Sequence, residues 1–509
     1  TTGALVGRDF TVAVLAEVSG QSADDVLDAL DEAVHTRIIE EVAHDRFRFS
    51  HALVRATISD ELGSSRRLRL HRRIAEALER VDPTNDAALA HHWLEAAEAG
   101  DPARAIEYAN RAAQTSVDAG ALDDAVALYR RALEFCEAGD FEQQRRDLLV
   151  ELATALFFLG ATDAREIAIE AVEVARAADD AKNLVRGATM LGWSSGNQGL
   201  GDSHTVEMMT DALTRADAGM PRERAELLTV LARSLMFEES DRRVAYAEEA
   251  LDLARAADDP NLFIHVGKSY LQTNSTPDNL ERRLVIAHEI QEVGARLDNP
   301  FARQQALPLQ PAWEAGDLDW VRRNALEEEA LAERLPHAGI RAGALLHRAK
   351  NALFAGRIAD ADLTLTDLVT AYGEVPGVFN VYAALLLITR CEQGRAGEVV
   401  ELVSQVRDRL ESASGVQALL RSFEGFLAFE AGDGERAEEM LRTEAADSFS
   451  RQARDGGWYA YHTNWAEIAA EVGDLDASDQ LHALLVPFVD RIANFVNVAH
   501  GSVARHVGR

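Results

Sequence analysis

Apolar and small residues recur every three to four positions over most of the chain, which is the spacing that one buried helix face requires. The segment 244–254, VAYAEEALDLA, is typical, because its valine, leucines and most of its alanines fall on one stripe while its acids lie opposite. The pattern therefore predicts amphipathic α-helices whose apolar stripes are buried.

A short turn signature interrupts these helices at regular intervals. It is a glycine, usually followed by Asp or Arg, before a helix with alanine about five residues on, and it occurs at Gly120, Gly160, Gly316, Gly356, Gly394, Gly432 and Gly473. Neighbouring steps are 40, 40, 38, 38 and 41 residues, and the 156-residue gap in the middle equals four periods of 39. The missing turns are expected at 199–202, 239–241 and 275–278. We expect each glycine to end a helix in the left-handed conformation and the Asp to cap the next helix.

Each period of about 40 residues holds two helices, and such a pair cannot bury its stripe alone, so neighbouring pairs must stack. The sequence predicts an all-α fold in which residues 83–509 form an α-solenoid of two-helix tetratricopeptide-like repeats. Pro308 and Pro311 fall within one expected helix, so we predict a kink or break there. The last long helix is expected over 475–492.

Residues 1–82 do not follow this period. Helical patterns at 9–18 and 22–35, the second with Ser22 as its cap, precede two alternating segments at 38–42 and 46–49, which predict a hairpin. Helices are expected again at 51–61 and 65–81. Helices followed by a β-hairpin predict a small N-terminal winged-helix domain over 1–82.

Composition narrows the functions that remain open. The 509 residues include 85 acidic and 52 basic side chains, a formal charge of -33, which argues against binding nucleic acid or an anionic membrane. Two cysteines exclude a disulfide framework, and no apolar run approaches the ~20 residues that a membrane span needs. The first residues, TTGALVGRDF, lack the pattern of a signal peptide. We expect a cytoplasmic protein, and a piece of a longer one.

The head and the first repeat resemble one family over stretches that are fairly specific. These are VGRDFTVAVLAEVSG, VLDALDEAV, RFRFSHALVRATISDEL, RRLRLHRRIAEALE and LAHHWLEAAEAGDPARAIEYANRAA. They are similar to the region after the ATPase core in STAND-type ATP-binding regulators of actinobacteria, namely the large LuxR-type transcriptional regulators and the nucleotidyl cyclases with the same ATPase tail. The C-terminal LLVPFVDRIANFVNVAHGSVARHVG is similar to the same family.

The resemblance implies an ATPase with a phosphate loop upstream and, in many members, a helix-turn-helix reader of DNA. This chain has no G-x-x-x-x-G-K-[ST]; in the near miss at Gly267-Lys268-Ser269, position 262 is Leu rather than Gly. We therefore expect a non-enzymatic sensor and interaction region with no cofactor of its own, ATP or ADP belonging to a missing upstream domain. Its solenoid would bind a protein partner or a small-molecule inducer.

Two other interpretations stay open. One is that the parent protein is an adenylate or guanylate cyclase of which this chain is the regulatory tail. The other is that the chain is a free-standing repeat scaffold with no ATPase at all.

His51 is the first candidate site residue. It stands where the hairpin gives way to a helix, and the resemblance implies that a winged-helix histidine reaches the β-phosphate of bound ADP. The alternative is a histidine that caps the helix or is buried locally at this junction.

The second candidate is an interaction surface in the only dense basic cluster of the chain. It consists of Arg66, Arg67, Arg69, Arg72 and Arg73. The cluster could contact DNA, pair with the acidic repeats or contact the ATPase. We favour a solvated or intramolecularly paired face over contact with DNA, because DNA would have to overcome the field of the acidic repeats. We expect no direct nucleic-acid partner and no membrane partner for this region.

The sequence His91-His92-Trp93 invites a metal assignment. Adjacent helical residues point about 100° apart, however, and we expect no carboxylate or cysteine four residues on in a zinc pattern. We expect core or surface histidines and no metal site.

Overall fold

The computed structural model describes residues 1–509 except 98–100, 138–139, 196–202, 218, 237–239, 336–337, 374, 376–377, 410–415, 496–497 and 509. The chain divides into two compact units, Thr1–Asn183 and Leu184–Arg509, with the division inside one helix. Stacked helix pairs make up most of both units. The predicted fold class, an all-α solenoid of two-helix tetratricopeptide-like repeats, is confirmed. The predicted domain boundary after residue 82 stays a prediction.

The first unit opens with short helices around a three-stranded antiparallel sheet in the order β1-β3-β2. Its elements are α1 (Thr2–Val6), β1 (Asp9–Thr11), α2 (Val12–Ser19), α3 (Ala23–His35), β2 (Ile39–Ala43), β3 (Arg46–Phe49), α4 (Ala52–Asp60) and α5 (Ser64–Val81). The Ser22 hydroxyl caps α3 by accepting a hydrogen bond from the backbone N–H of Asp25, as predicted.

The predicted helix at 9–18 was wrong over its first three residues. Asp9–Thr11 form the edge strand β1, in which Phe10 lies opposite Phe47 and is 4 % exposed. Thr11 then caps α2 by accepting from the N–H of Val14. A strand of three residues is too short for alternation to show, and only the phenylalanine cluster across the sheet fixes it. The short helix α1 was not predicted either.

Five helices follow in the first unit and pack as consecutive hairpins. They are α6 (Asp86–Ala96), α7 (Pro102–Asp118), α8 (Leu122–Glu137), α9 (Glu142–Leu159) and α10 (Ala164–Ala177). Alanines at their crossings, such as Ala105 and Ala125, are completely buried and let the helices approach closely.

The second unit continues the repeat and ends in a small hairpin. Its helices are α11 (Ala181–Ser195, which contains the division), α12 (Ser203–Arg215), α13 (Pro221–Ser234), α14 (Ser240–Ala256), α15 (Pro260–Thr273), α16 (Leu280–Arg296), α17 (Pro300–Gln305), α18 (Leu309–Glu314), α19 (Leu318–Arg334), α20 (Ala338–Phe354), α21 (Ile358–Tyr372), α22 (Val378–Glu392), α23 (Val400–Arg409), α24 (Gln417–Glu430), α25 (Gly434–Ala445), α26 (Trp458–Val472), α27 (Leu475–Leu485) and α28 (Val503–Val507). Two 3₁₀ turns, Ala396–Val399 and Val486–Phe488, and the strands β4 (Ile492–Phe495) and β5 (Val498–Ser502) complete it.

The turn glycines behave as the sequence predicts. All seven have φ between 67° and 89°, the left-handed region that glycine adopts without steric cost. The side chains of Asp317, Asp433 and Asp474 then cap the following helices. The turn expected at 275–278 lies between α15 and α16. The turn expected at 199–202 lies outside the described residues, as does residue 239. Of the turn expected at 239–241, Ser240 and Asp241 already belong to α14.

The predicted proline break is confirmed. One expected helix is split into α17 and α18, and Ala306, Leu307 and Pro308 lie between them. Pro308 cannot donate a backbone hydrogen bond, which interrupts the helical ladder at this point.

The helix predicted over 475–492 was wrong beyond Leu485. The chain passes through the 3₁₀ turn containing Pro487 into the antiparallel hairpin β4–β5, which packs against α18, α20, α22 and α26. Ile492 and Ala493 are buried there, so tertiary packing overrides the helical periodicity. Among the described residues, no helix combines the length and the apolarity that crossing a membrane would take.

Candidate functional site

His51 lies directly before α4 on an exposed surface. Its backbone is extended, with φ -138° and ψ 131°, and its side chain makes no capping hydrogen bond with α4. No residue of α4 is buried, and Leu53 is 83 % exposed. The structure therefore favours neither local capping nor local burial of His51. The nucleotide-sensing role stays a prediction.

The five arginines of the basic cluster are exposed on the first half of α5. Arg72 Nε donates to Glu76 Oε1 at 2.9 Å, and the Arg73 guanidinium donates to the Val18 carbonyl. These two contacts are intramolecular, and both partners lie in the N-terminal segment rather than in the acidic repeats. Whether Arg66, Arg67 and Arg69 contact a partner stays a prediction.

Three histidine rings come together where α5 packs on α6. His71 on α5 joins His91 and His92, and one ligand atom from each ring lies within 4.8 Å of the others. His71 Nδ1 is 2.9 Å from His92 Nδ1, and His92 Nε2 is 3.3 Å from the Val6 carbonyl. His71 and His92 are buried, while His91 is exposed.

The hydrogen bonds fix the tautomers of the two buried rings. His92 must carry its proton on Nε2 to donate to Val6, so its Nδ1 accepts from Nδ1–H of His71. Burial lowers the pKa of His71 to about 4 and that of His92 to about 3, so both rings are neutral at pH 7.

The surroundings of His91 and His92 differ from the expectation in two ways. The expectation that no carboxylate follows at the fourth position was wrong, because Glu95 lies four residues after His91. The third ring comes from a different helix, twenty residues upstream, and no local spacing shows it. Glu95 is paired with Arg131 at 2.7 Å, and its pKa is below the usual value even though burial opposes this, because it accepts a hydrogen bond from Arg131 and lies near further cationic groups.

In the second unit, charged side chains from four repeat helices and from the loop before α26 are buried in the interior. We call this set the interior cluster: Arg243 on α14, Arg283 on α16, Glu314 on α18, Lys350 on α20, and Asp455 before α26. All five are at most 2 % exposed. Buried ionisable groups are rare unless they are paired or used, so the cluster is the main candidate site of this unit.

Arg283 and Glu314 form the one ion pair of the cluster. Arg283 Nη2 donates to Glu314 Oε2 at 2.6 Å, with side-chain exposures of 0 % and 1 %. Arg283 Nε also donates to Asn279 Oδ1 at 2.8 Å. Burial raises the pKa of Tyr459 on α26, and the neighbouring Glu314 raises it further.

Arg243 and Asp455 are less completely satisfied. Arg243 Nη1 donates to the Met236 carbonyl at 2.8 Å, and none of the described residues accepts from its Nε or Nη2. Asp455 Oδ1 accepts from Gln452 Nε2 and from the N–H of Gly457, both at 2.8 Å. Burial raises the pKa of Asp455 to about 6, and the charge of Arg243 opposes that rise.

Lys350 ties the repeat to the C-terminal hairpin. Its amine donates to Asn494 Oδ1 on β4 at 2.6 Å and lies 4.9 Å from the centre of the Trp313 ring. Burial lowers the pKa of Lys350 to about 7. Arg454 pairs with Asp278 at 2.7 Å. These polar contacts add to the apolar packing of α26 and of Ile492 and Ala493, which lie in the hydrophobic core of this unit.

The near-miss phosphate motif lies inside α15 rather than in a loop after a strand. Lys268 is partly buried, and its amine donates to Gln305 Oε1 at 2.8 Å. This placement agrees with the sequence argument against phosphate binding at Gly267-Lys268-Ser269.

Comparison with known proteins yields only distant structural likeness. No protein-family model matches the chain, and no curated protein matches it. A Rap protein complexed with competence and sporulation factor is 10 % identical, with 75 % of this chain and 96 % of that chain covered and a TM-score of 0.38. An APC/C hetero-tetramer is 14 % identical over 85 % of each chain, with a TM-score of 0.41.

A third solved structure is a STAND protein with a tetratricopeptide repeat sensor from Pyrococcus horikoshii. It is 12 % identical, with 96 % of this chain and 62 % of that chain covered and a TM-score of 0.26. At these values the comparisons define no site and no activity. The repeat fold rests on the helix pairs and turn glycines described above.

Proposed function

We propose that this chain is the non-catalytic sensor and interaction region of a STAND-type ATP-binding transcriptional regulator in the cytoplasm. Its repeats would bind a protein partner or a small inducer, and ATP or ADP would bind an upstream domain. The sequence stretches between residues 6 and 113 that resemble this family support the proposal.

The interior cluster is the observation that carries the proposal. A repeat array that serves only as a spacer is stable with apolar helix contacts, whereas burying Arg243, Arg283 and Lys350 costs free energy unless each finds a partner. Here the partners include residues that follow in the chain by more than a hundred positions, such as Asn494. Helices of this unit therefore already bind polar side chains, Asp455 and Asn494, from a distant part of their own chain.

Such contacts suit a sensor because they can be exchanged. A partner or inducer that offers carboxylate or carbonyl oxygens to Arg243 and Lys350 would compete with Asp455 and Asn494. Such a ligand shifts the equilibrium between the two contact arrangements of the repeats only by the difference in its affinity for them. In the proposed mechanism this shift is passed to the ATPase and biases an ADP-closed against an ATP-open state.

The surface around His51 is the proposed contact with the ATPase. The exposed helix α4 offers Leu53 as an apolar contact, and the exposed imidazole of His51 can donate to a phosphate oxygen. In this arrangement His51 stabilises the ADP-bound state.

The parent protein provides the test. We expect the reading frame upstream to encode a phosphate loop, and His51→Ala in the parent to speed ADP release, measured with a fluorescent ADP analogue. His44→Ala is the matched control, because His44 is 96 % exposed on the neighbouring hairpin. A parent without a phosphate loop, or equal release rates in all three proteins, would contradict the assignment.

The interior cluster is tested in the same protein. Arg243→Gln should change the rate of ADP release, because it weakens the electrostatic interaction with Asp455, whereas Arg296→Gln on the exposed face of α16 should not. ATP hydrolysis by this chain alone that disappears in Lys268→Ala would refute its non-catalytic character.

A further inference from the structure

The three histidines between α5 and α6 are arranged like the ligands of one metal ion. Their ring centroids are 5.6 Å apart for His71 and His91, 5.1 Å for His71 and His92, and 4.9 Å for His91 and His92. Three imidazoles bound tetrahedrally to one Zn²⁺ at about 2.0 Å would place their centroids about 5 Å apart. The rings already form that triangle.

We propose that His71, His91 and His92 form a three-histidine site for a borderline transition-metal ion, Zn²⁺ or Co²⁺, with water as the fourth ligand. This site lies in the first unit and is independent of the interior cluster and of the proposed regulator function.

Small side-chain movements complete the coordination. Ligand nitrogens on a tetrahedral Zn²⁺ are about 3.3 Å apart, and His71 Nδ1 and His92 Nδ1 already lie 2.9 Å apart. All three ligand atoms lie within 4.8 Å of one another, so the widest pair must close by at most about 1.5 Å. Because His91 is exposed, its side chain can make this movement, and the ion can enter the site beside it.

The hydrogen bonds of the two buried rings fit a metal site. A metal ligand must offer a lone pair, and His71 Nδ1 and His92 Nδ1 face each other at 2.9 Å, so one of the two atoms is already an acceptor. Binding through Nδ1 requires His71 to move its proton from Nδ1 to Nε2, which changes the tautomer and leaves the charge unchanged. His92 needs no change, because its Nε2–H already donates to the Val6 carbonyl, the kind of outer contact that orients a metal-bound imidazole.

The surrounding charges select the kind of ion. Arg55, Arg67 and Arg131 face the histidines, and Glu95 opposes them. Because Arg131 is paired with Glu95, the remaining field is cationic and disfavours ions such as Mg²⁺ and Ca²⁺, which are held by oxygen ligands and charge. Imidazole nitrogens bind Zn²⁺, Co²⁺, Ni²⁺ and Cu²⁺ more strongly, and this affinity offsets the repulsion from the arginines.

The expected consequence is a cross-link within the first unit. His71 belongs to α5, His91 and His92 to α6, and Val6 closes α1. One ion would therefore tie the sheet-containing segment to the first repeat helix. Occupancy should raise the melting temperature, because the ion binds only the folded arrangement.

Cobalt titration of the metal-free full chain tests the site. We expect one equivalent of Co²⁺ to give the visible absorption of tetrahedral nitrogen coordination, and Zn²⁺ to displace it. His91→Ala should weaken binding at least tenfold and abolish the Zn²⁺-dependent rise in melting temperature. Because His91 is exposed, the variant should fold, which circular dichroism checks. His44→Ala is the control and should bind like the unaltered chain.

Two results would overturn the proposal. One is the lack of a stoichiometric spectrum at micromolar Co²⁺, which would leave the rings as a packed hydrogen-bonded group. The other is equal binding by the His91→Ala variant and the unaltered chain, which would place the ion on the acidic surface instead.

Discussion

At the scale of single residues, the sequence shows which side chains are unusual but not what they contact. His51 is visible because the stretch around it resembles a family, and the arginines of α5 are visible because they form a dense basic cluster. Asp455 and Lys350 are not, because their partners lie far away in sequence: 212 positions separate Arg243 from Asp455, and 144 separate Lys350 from Asn494. A clue was present, since Lys268 and Lys350 are two of only three lysines and both interrupt apolar helices.

The pH dependence of stability should show the buried carboxyl group of Asp455. Its folded pKa of about 6 is above the ordinary value of 3.8, so its contribution to stability is present below pH 3.8 and is lost as pH rises towards 6. Asp455→Asn keeps an acceptor for Gln452 and Gly457 but cannot ionise. Its free energy of unfolding relative to the unaltered chain should therefore rise by about 2 to 3 kcal/mol between pH 4 and pH 7.

Urea denaturation at several pH values measures this difference. Asp298→Asn, at an exposed loop position, is the control and should run parallel to the unaltered chain at every pH. A constant difference between the Asp455→Asn variant and the unaltered chain would show that Asp455 is not buried as the structure has it.

At the scale of elements, the sequence predicts the end of a helix correctly where that end is set by a nearby capping residue. The turn glycines and the Asp caps act within four residues, and the sequence located them correctly. Helix crossings depend on packing instead. α24 passes α26 at Gly425, where a Cβ atom would lie 2.6 Å from the ring of the fully buried Trp465. Nothing local distinguishes Gly425 from a helix glycine in open space.

Substitution of Gly425 by alanine should separate packing from helix propensity. Gly425→Ala should lower the free energy of unfolding by about 1 to 2 kcal/mol, because the methyl group overpacks a buried ring. Gly343→Ala is the matched control inside α20, where a Cβ meets nothing within 4 Å, and it should stabilise by about 0.5 to 1 kcal/mol. Stabilisation by both substitutions, measured by urea denaturation followed through tryptophan fluorescence, would disprove the close crossing.

At the scale of the whole chain, the net charge determines the electrostatic field that a distant charged molecule meets. Ion pairs link neighbouring repeats at separations near one period, for example Arg130 with Asp163 at 2.6 Å and Arg282 with Glu248 at 2.9 Å. Exposed pairs of this kind add little stability. These pairs neutralise many arginines locally. The field at a distance is therefore set by the excess of 33 negative charges.

We expect this field to prevent binding of duplex DNA by the chain despite the exposed arginines of α5. A mobility-shift titration at 100 mM salt should show no complex at micromolar protein, the range in which non-specific DNA-binding proteins bind. The opposite result would be a salt-dependent shift that disappears when Arg66, Arg67 and Arg69 are changed to Gln.

The sequence by itself determined the repeat: its period, its turn glycines, its capping residues and the proline break. These features depend on steric and hydrogen-bonding rules that operate within one turn of a helix. Only the tertiary structure decided that Ile492–Phe495 pairs with Val498–Ser502, that His71 joins His91 and His92, and that Arg243 lies near Asp455. Those choices depend on which surfaces meet when helix pairs stack, and stacking brings together residues whose separation in sequence carries no periodic signal.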